Sequence, residues 1–173
     1  MNGFGGFVDY SARFLLDAQD VMARLWKMAE ALGGGVKYGI DVLEDNGAFV
    51  QNALAPISGA DYYQRVDDRV YYLLQKGHPK SNKLTKALIR FGAPAINVAK
   101  TPICAAFFAP ATKILILMRG PKSPPIYYQH NLNTLTFATS ASAFPETPKS
   151  LEPSSLAVYT PDELKLFLCN FTG

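Results

Sequence analysis

The chain has 173 residues, 49% of them hydrophobic and 18% charged, with a formal net charge of +3. That length suits one domain with a sizeable core, and the composition excludes a disordered chain. No Lys or Arg run is long enough for a nucleic-acid groove, and no apolar stretch nears the ~20 residues that span a bilayer.

In chain order, Gly3 to Tyr10 reads as a first strand, apolar but weakened by Gly5 and Gly6. Glycine suits a strand that another backbone or a ligand approaches closely. Arg13 to Leu32 reads as a helix: Phe14, Ala18, Val21, Met22, Leu25, Trp26, Ala29 and Leu32 recur at three- and four-residue spacing. Gly33-Gly34-Gly35 stops it and lacks the spacing of a phosphate loop. Val36 to Gln51 reads as a loop plus a short strand, Ala48 to Gln51, introduced by the turn signal Asp45-Asn46-Gly47. Residues 52–66 read as loop.

Asp67 to Lys76 carries two signals. Its tyrosines favour a strand, while Val70, Leu73 and Leu74 sit at helical spacing before Gly77; the helical spacing sets the expectation. Ser81 is placed to cap a second helix to about Phe91, with Leu84, Ala87, Leu88 and Phe91 on its buried side and Gly92 and Pro94 ending it.

Three hairpins follow. Ile103–Phe108 and Ile114–Arg119 flank Ala109–Thr112; Ile126–Gln129 and Thr134–Ala138 flank Asn131-Leu132-Asn133; Ser155–Tyr159 and Leu164–Cys169 flank Thr160–Glu163. Residues 140–154, rich in Ser, Pro and Thr, read as loop. Helices over antiparallel hairpins make an α+β fold in a single domain, residues 1–173.

The two cysteines (Cys104, Cys169) and two histidines (His78, His130) are not at metal-ligand spacing. The N-terminal stretch shows neither the basic nor the long apolar segment of a signal peptide. The expectation is a soluble cytoplasmic protein with no cofactor and no metal. Cys104 and Cys169 read as structural thiols, and His78 and His130 as surface histidines. The pairs Tyr62-Tyr63, Tyr71-Tyr72 and Tyr127-Tyr128 read as core rather than as a ligand cleft.

The order of these features resembles one family. The opening Met1-Asn2-Gly3-Phe4-Gly5-Gly6-Phe7-Val8-Asp9 is similar to the Met-Cys-Gly opening and glycine-bearing strand of class II glutamine amidotransferase domains. These are the N-terminal glutaminase domains of asparagine synthetases. The C-terminal half carries more of the likeness: Ile103–Phe108, Ile114–Arg119, Pro125-Ile126-Tyr127-Tyr128, Leu135-Thr136-Phe137-Ala138-Thr139 and Leu156–Tyr159. They resemble, in order, the family's two central strands, its Lys-Pro-Leu-Tyr-Tyr and Phe-Ala-Ser-Glu phrases, and its last apolar strand. The resemblance runs from Met1 to about Phe171. It implies a four-layer αββα sandwich of two antiparallel sheets, as in Ntn hydrolases.

It also implies that the chemistry is lost. The family's second residue is a cysteine whose thiolate attacks the glutamine amide while its own α-amino group serves as base. Asn2 stands there instead, and a carboxamide is neither nucleophilic nor titratable near neutrality. Asn2 also disfavours removal of Met1, which displaces the amino base. Lys76-Gly77-His78 resembles the family's Arg-Gly-His phrase, and that register puts Asp67-Asp68-Arg69 where the family has Asn-Gly-Glu. Ser81-Asn82 replaces its Ser-Asp, and Arg119-Gly120 its Arg-Asp. By resemblance, Asn2 marks the catalytic position, and Asp67, Asp68, Asn82 and Arg119 are the candidate substrate-binding residues.

The resulting expectation is a degenerate, non-catalytic module that docks to an asparagine-synthetase-like, ATP-dependent partner. β-Lactam synthetases are the family precedent for a domain without the nucleophile. A small amide or amino acid is a candidate ligand of the former glutamine pocket; nucleic acid and membrane are not expected partners. Two alternatives stay open: an amidohydrolase working through non-standard groups, and an inactivated variant of an active glutaminase.

Overall fold

Strand β1 (Gly3–Asp9) forms where the sequence predicts it and lies inside a sheet of the computed structural model, which describes residues 3–11, 18–32, 38–43, 47–52, 61–66, 69–75, 103–109 and 111–168. Its side chains alternate as a pleat requires: Phe4 and Val8 enter one buried cluster and Phe7 enters another on the opposite face. Helix α1 (Ala18–Ala31) covers the Phe7 face through Val21, Leu25, Met28 and Ala29, with Leu32 just beyond its end. Of the expected stripe, Val21, Leu25, Ala29 and Leu32 are core and Met22 packs against them, whereas Trp26 is exposed; residues 13–17 of the expected helix, Phe14 among them, lie outside the described residues.

Two strands follow α1: β2 (Tyr38–Leu43) and β3 (Gly47–Asn52) pair antiparallel from Tyr38↔Asn52 to Leu43↔Gly47. The expectation of a loop with one short strand is corrected here, because a full hairpin spans the segment. Next come β4 (Asp61–Val66) and β5 (Arg69–Gln75), again antiparallel. Both correct the sequence reading. The segment 61–66, expected as loop, is a strand. The expected helix over Asp67–Lys76 is a strand that bonds to β4 on one side and to β6 (Ile103–Ala109) on the other. Interior strands carry near-continuous apolar runs, so chance three- and four-residue spacing in Val70-Tyr71-Tyr72-Leu73-Leu74 imitates a helix. The helix expected over Ser81–Phe91 lies outside the described residues.

The three expected hairpins are present. They are β6 with β7 (Ile114–Arg119), β8 (Tyr127–Asn131) with β9 (Thr134–Ala138), and β11 (Ser155–Tyr159) with β12 (Leu164–Leu168). Residues 140–154, expected as loop, hold a 3₁₀ turn at Ala141–Ala143 and a two-residue strand, β10 (Lys149–Ser150), paired with β8.

Among the described residues every strand pair is antiparallel, and the strands form two sheets, ordered β10-β8-β9-β1-β3-β2 and β12-β11-β7-β6-β5-β4. The sheets pack face to face. Phe4, Val8, Tyr128, Leu135 and Phe137 from the first meet Cys104, Phe108, Leu115, Leu117, Ala157 and Tyr159 from the second. Phe137, Phe108 and Leu135 are fully buried, each contributing about 1.5–3 kcal/mol by leaving water. The architecture is thus mainly β: two antiparallel sheets packed together, with one α-helix among the described residues.

Candidate functional site

Glycine at the start of β1 is explained by crowding. β1 lies between β3 and β9, with Gly5 opposite Val50 on one side and Ala138 on the other. A Cβ on Gly5 would meet Met28 Sδ at 2.5 Å, the Phe137 carbonyl oxygen at 2.9 Å and Ala138 Cβ at 3.1 Å. A Cβ on Gly3 would lie 2.6 Å from Thr139 Oγ1 and 3.1 Å from Leu32 Cδ2. The α1 face of the strand's beginning is therefore filled by Met28 and Leu32, and there is no room on it for a side chain.

Thr139 also closes the backbone. Phe4 N–H donates to Thr139 Oγ1 at 3.1 Å, and Thr139 N–H donates back to the Phe4 carbonyl at 2.9 Å. The hydroxyl itself reaches the same carbonyl at 3.3 Å. Phe4 N–H is thus engaged within the fold rather than turned towards a substrate oxygen. Thr139 was visible in the sequence only as the residue after Phe137-Ala138; its pairing with Phe4 spans 135 positions.

Of the candidate site residues, Arg119 is the one among the described residues. It ends β7, opposite Cys104 on β6 and Ser155 on β11. Its Nη1 donates to the Leu151 carbonyl at 2.6 Å and reaches Ser150 Oγ at 3.4 Å. Ser150 belongs to β10 of the other sheet, so this guanidinium fastens the two sheets. Its Nε is buried and makes no hydrogen bond among the described residues. Asn2, Asp67, Asp68 and Asn82 lie outside the described residues.

A second fastening sits at the far end of β1. The Tyr10 hydroxyl donates to the Lys113 carbonyl, in the β6–β7 turn, at 2.8 Å, and lies 3.4 Å from the Tyr159 carbonyl. The Tyr10 and Tyr159 rings are 5.0 Å apart, and His130 meets Tyr159 edge-on at 5.1 Å. Burial pushes the Tyr159 hydroxyl up to about 12, with the Asp9 carboxylate adding to the shift. Burial, with Tyr159 adding, raises Tyr10 further. Both stay neutral at physiological pH and act as hydrogen-bonding and packing groups. Tyr128 is buried in the core, and burial raises its hydroxyl too. The sequence signalled none of this; Tyr10 read only as the end of a strand.

The remaining candidates have structural placements. Cys104 is fully buried between the sheets, and His130 is exposed at the end of β8. His78 and Cys169 lie outside the described residues. Among the described residues no three His, Cys, Asp or Glu side chains are grouped to hold a metal ion, and no helix is long and apolar enough to cross a membrane.

No protein-family model matches the chain, and no curated protein matches its sequence.

Proposed function

We propose that this chain is a degenerate class II glutamine amidotransferase-like domain, without glutaminase activity, that serves as a structural or binding module for an asparagine-synthetase-like, ATP-dependent amide-forming partner. One observation carries the reading: Asn2 stands directly ahead of a glycine-bearing strand that runs inside its sheet, between β3 and β9. In the family that position holds the nucleophile, and a carboxamide cannot replace a thiolate. Two further facts support it. The two antiparallel sheets pack face to face, as the inner layers of an αββα sandwich do, and α1 lies where one outer layer would be. We propose that these sheets are the inner layers of the four-layer αββα sandwich that the resemblance implies. The filled α1 face at Gly3 and Gly5 favours a structural role over a retained catalytic cleft.

The test is a glutamine hydrolysis assay on the intact chain and on Asn2→Cys, with mass spectrometry of the N-terminus. The expected result is Met1 retained in the unaltered chain, Met1 removed in Asn2→Cys, and no glutamate from either protein. Glutamate released by the unaltered chain overturns the reading in favour of non-standard amidohydrolase groups. Robust activity in Asn2→Cys, with Met1 removed, overturns it in favour of an otherwise intact glutaminase.

A further inference from the structure

The outer face of the first sheet is only partly covered by α1. Beside the helix, over β8 and β9, lies a groove of about 530 Å³. That volume is within the range of small-molecule sites, about 300–1,000 Å³.

Its chemistry follows from the pleat. The inward side chains of β8 and β9 are Tyr128, Leu135 and Phe137, so the alternate positions face out into the groove. Those positions are Gln129, Asn131, Thr134 and Thr136, and the register pairs Gln129 with Thr136 and Asn131 with Thr134. Two rows of amide and hydroxyl groups therefore lie side by side, each able to donate and to accept. Arg24 and Lys27 on α1, three positions apart and so on one helix face, line the same groove. The Arg24 guanidinium rests on the Phe7 ring, 4.3 Å from its centroid, which holds it at the groove wall. Among the described residues neither cation is ion-paired, and none of the groove's lining residues is acidic. Asp20 and Glu30, on the same helix, are exposed and do not line it.

A plain solvent-facing sheet needs neither two unpaired cations converging over it nor a concave wall. We propose that this groove is a binding site for a small, hydroxyl-rich anion, a sugar phosphate or sugar acid. Arg24 and Lys27 take the anionic group, and the Gln129–Thr136 and Asn131–Thr134 rows take the hydroxyls. The site shares Met28 with the packing over Gly5, but it is built from its own side chains and does not depend on the glutaminase resemblance.

The experiment titrates ribose 5-phosphate, gluconate and neutral ribose into the full chain, reading affinity by calorimetry and location by amide chemical shifts. At least one anion is expected to bind at millimolar concentration or below, shifting the amide signals of β8 and β9, with ribose about tenfold weaker or worse because it lacks the charge-assisted contacts. Preference between the two anions tells a phosphate site from a carboxylate site. Arg24→Gln and Lys27→Gln should each lower affinity about tenfold. Arg24→Lys should retain most of it, and Lys113→Gln, at the other side of β1, should change nothing. Both groove cations are exposed, so thermal unfolding of the variants should match the unaltered chain. No binding of either anion, equal binding of ribose, or full affinity in the Arg24→Gln, Lys27→Gln double variant would overturn the proposal.

Discussion

Gly5→Ala adds one methyl group at the tightest place in the sheet. The φ of Gly5 is not in the left-handed region, so alanine fits the backbone and only space decides the outcome. The methyl would lie 2.5 Å from Met28 Sδ and 2.9 Å from the Phe137 carbonyl oxygen. The thioether end can swing away. The carbonyl cannot, because it belongs to the β1–β9 ladder, and moving it strains the pairing of Gly6 with Phe137. Overpacking of this kind costs about 1–3 kcal/mol. Alanine returns about 0.4–1 kcal/mol by restricting the unfolded chain. The net loss is centred near about 1.3 kcal/mol and reaches about 2.6 kcal/mol at most, which lowers Tm by about 3–5 °C at the centre and about 10 °C at the limit in a chain of this size. Thermal unfolding followed by circular dichroism measures it, with urea midpoints as a second reading. Adding Met28→Ala should give less than the sum of the two single losses, since one of the two contacts is then relieved. A Gly5→Ala protein at least as stable as the original would refute the close approach of α1 and β9.

Four other outcomes are expected. Tyr10→Phe removes the hydroxyl bonded to Lys113 and should cost about 0.5–1.5 kcal/mol, read from urea midpoints. Tyr10 and Tyr159 titrate above the ordinary value of about 10, so the unfolded chain loses these protons first; stability holds below about pH 10, then falls, and the Tyr159 share is lost by about pH 12. Urea midpoints across that window should show the fall, less steep in Tyr10→Phe. Leu132 begins the β8–β9 turn with φ 51° and 93% exposure, a conformation glycine adopts freely, so Leu132→Gly should raise stability by about 0.5–1 kcal/mol; a lower Tm would count against that turn. Among the described residues strand β12 is bonded to β11 alone, and it exposes Leu166, Phe167 and Leu168 at the sheet edge. Leu166→Lys should reduce concentration-dependent association in light scattering, with Tm changed little.

Elements carrying period-two patterns were legible. In β9 the buried Leu135 and Phe137 alternate with Thr134 and Thr136, and in β11 the buried Ser155, Ala157 and Tyr159 alternate with Leu156 and Val158. Strands without that pattern were missed. β2 and β4 are the outer strands of their sheets and mix Gly39, Asp41, Asp61, Gln64 and Arg65 with apolar residues, which reads as loop. β5 is interior, and its apolar run erases the alternation. The start of β1 was legible in part: glycine signalled close approach, but not what approaches. Leu32, Met28 and Thr139 converge there from other elements, and nothing local in a sequence encodes that. The same holds for Arg119, whose bond to Leu151 joins residues 32 positions apart. The outward rows of the groove were invisible because four polar residues in two strands look like any solvated face until a helix is laid beside them.

The position of β1 also sets an order of events during synthesis. Its neighbour β3 is complete at Asn52, but its other neighbour, β9, begins only at Thr134. At about 5–20 residues per second, roughly 80 further residues take about 4–16 s to make. Through that interval one edge of a glycine-weakened strand has no partner to bond. The nascent chain must carry an unfinished sheet, and β1 gains its second neighbour only when the late hairpin β8–β9 closes over it. Such long-range closure predicts slow folding, in milliseconds to seconds once the chain is whole, and a need for protection while it is not.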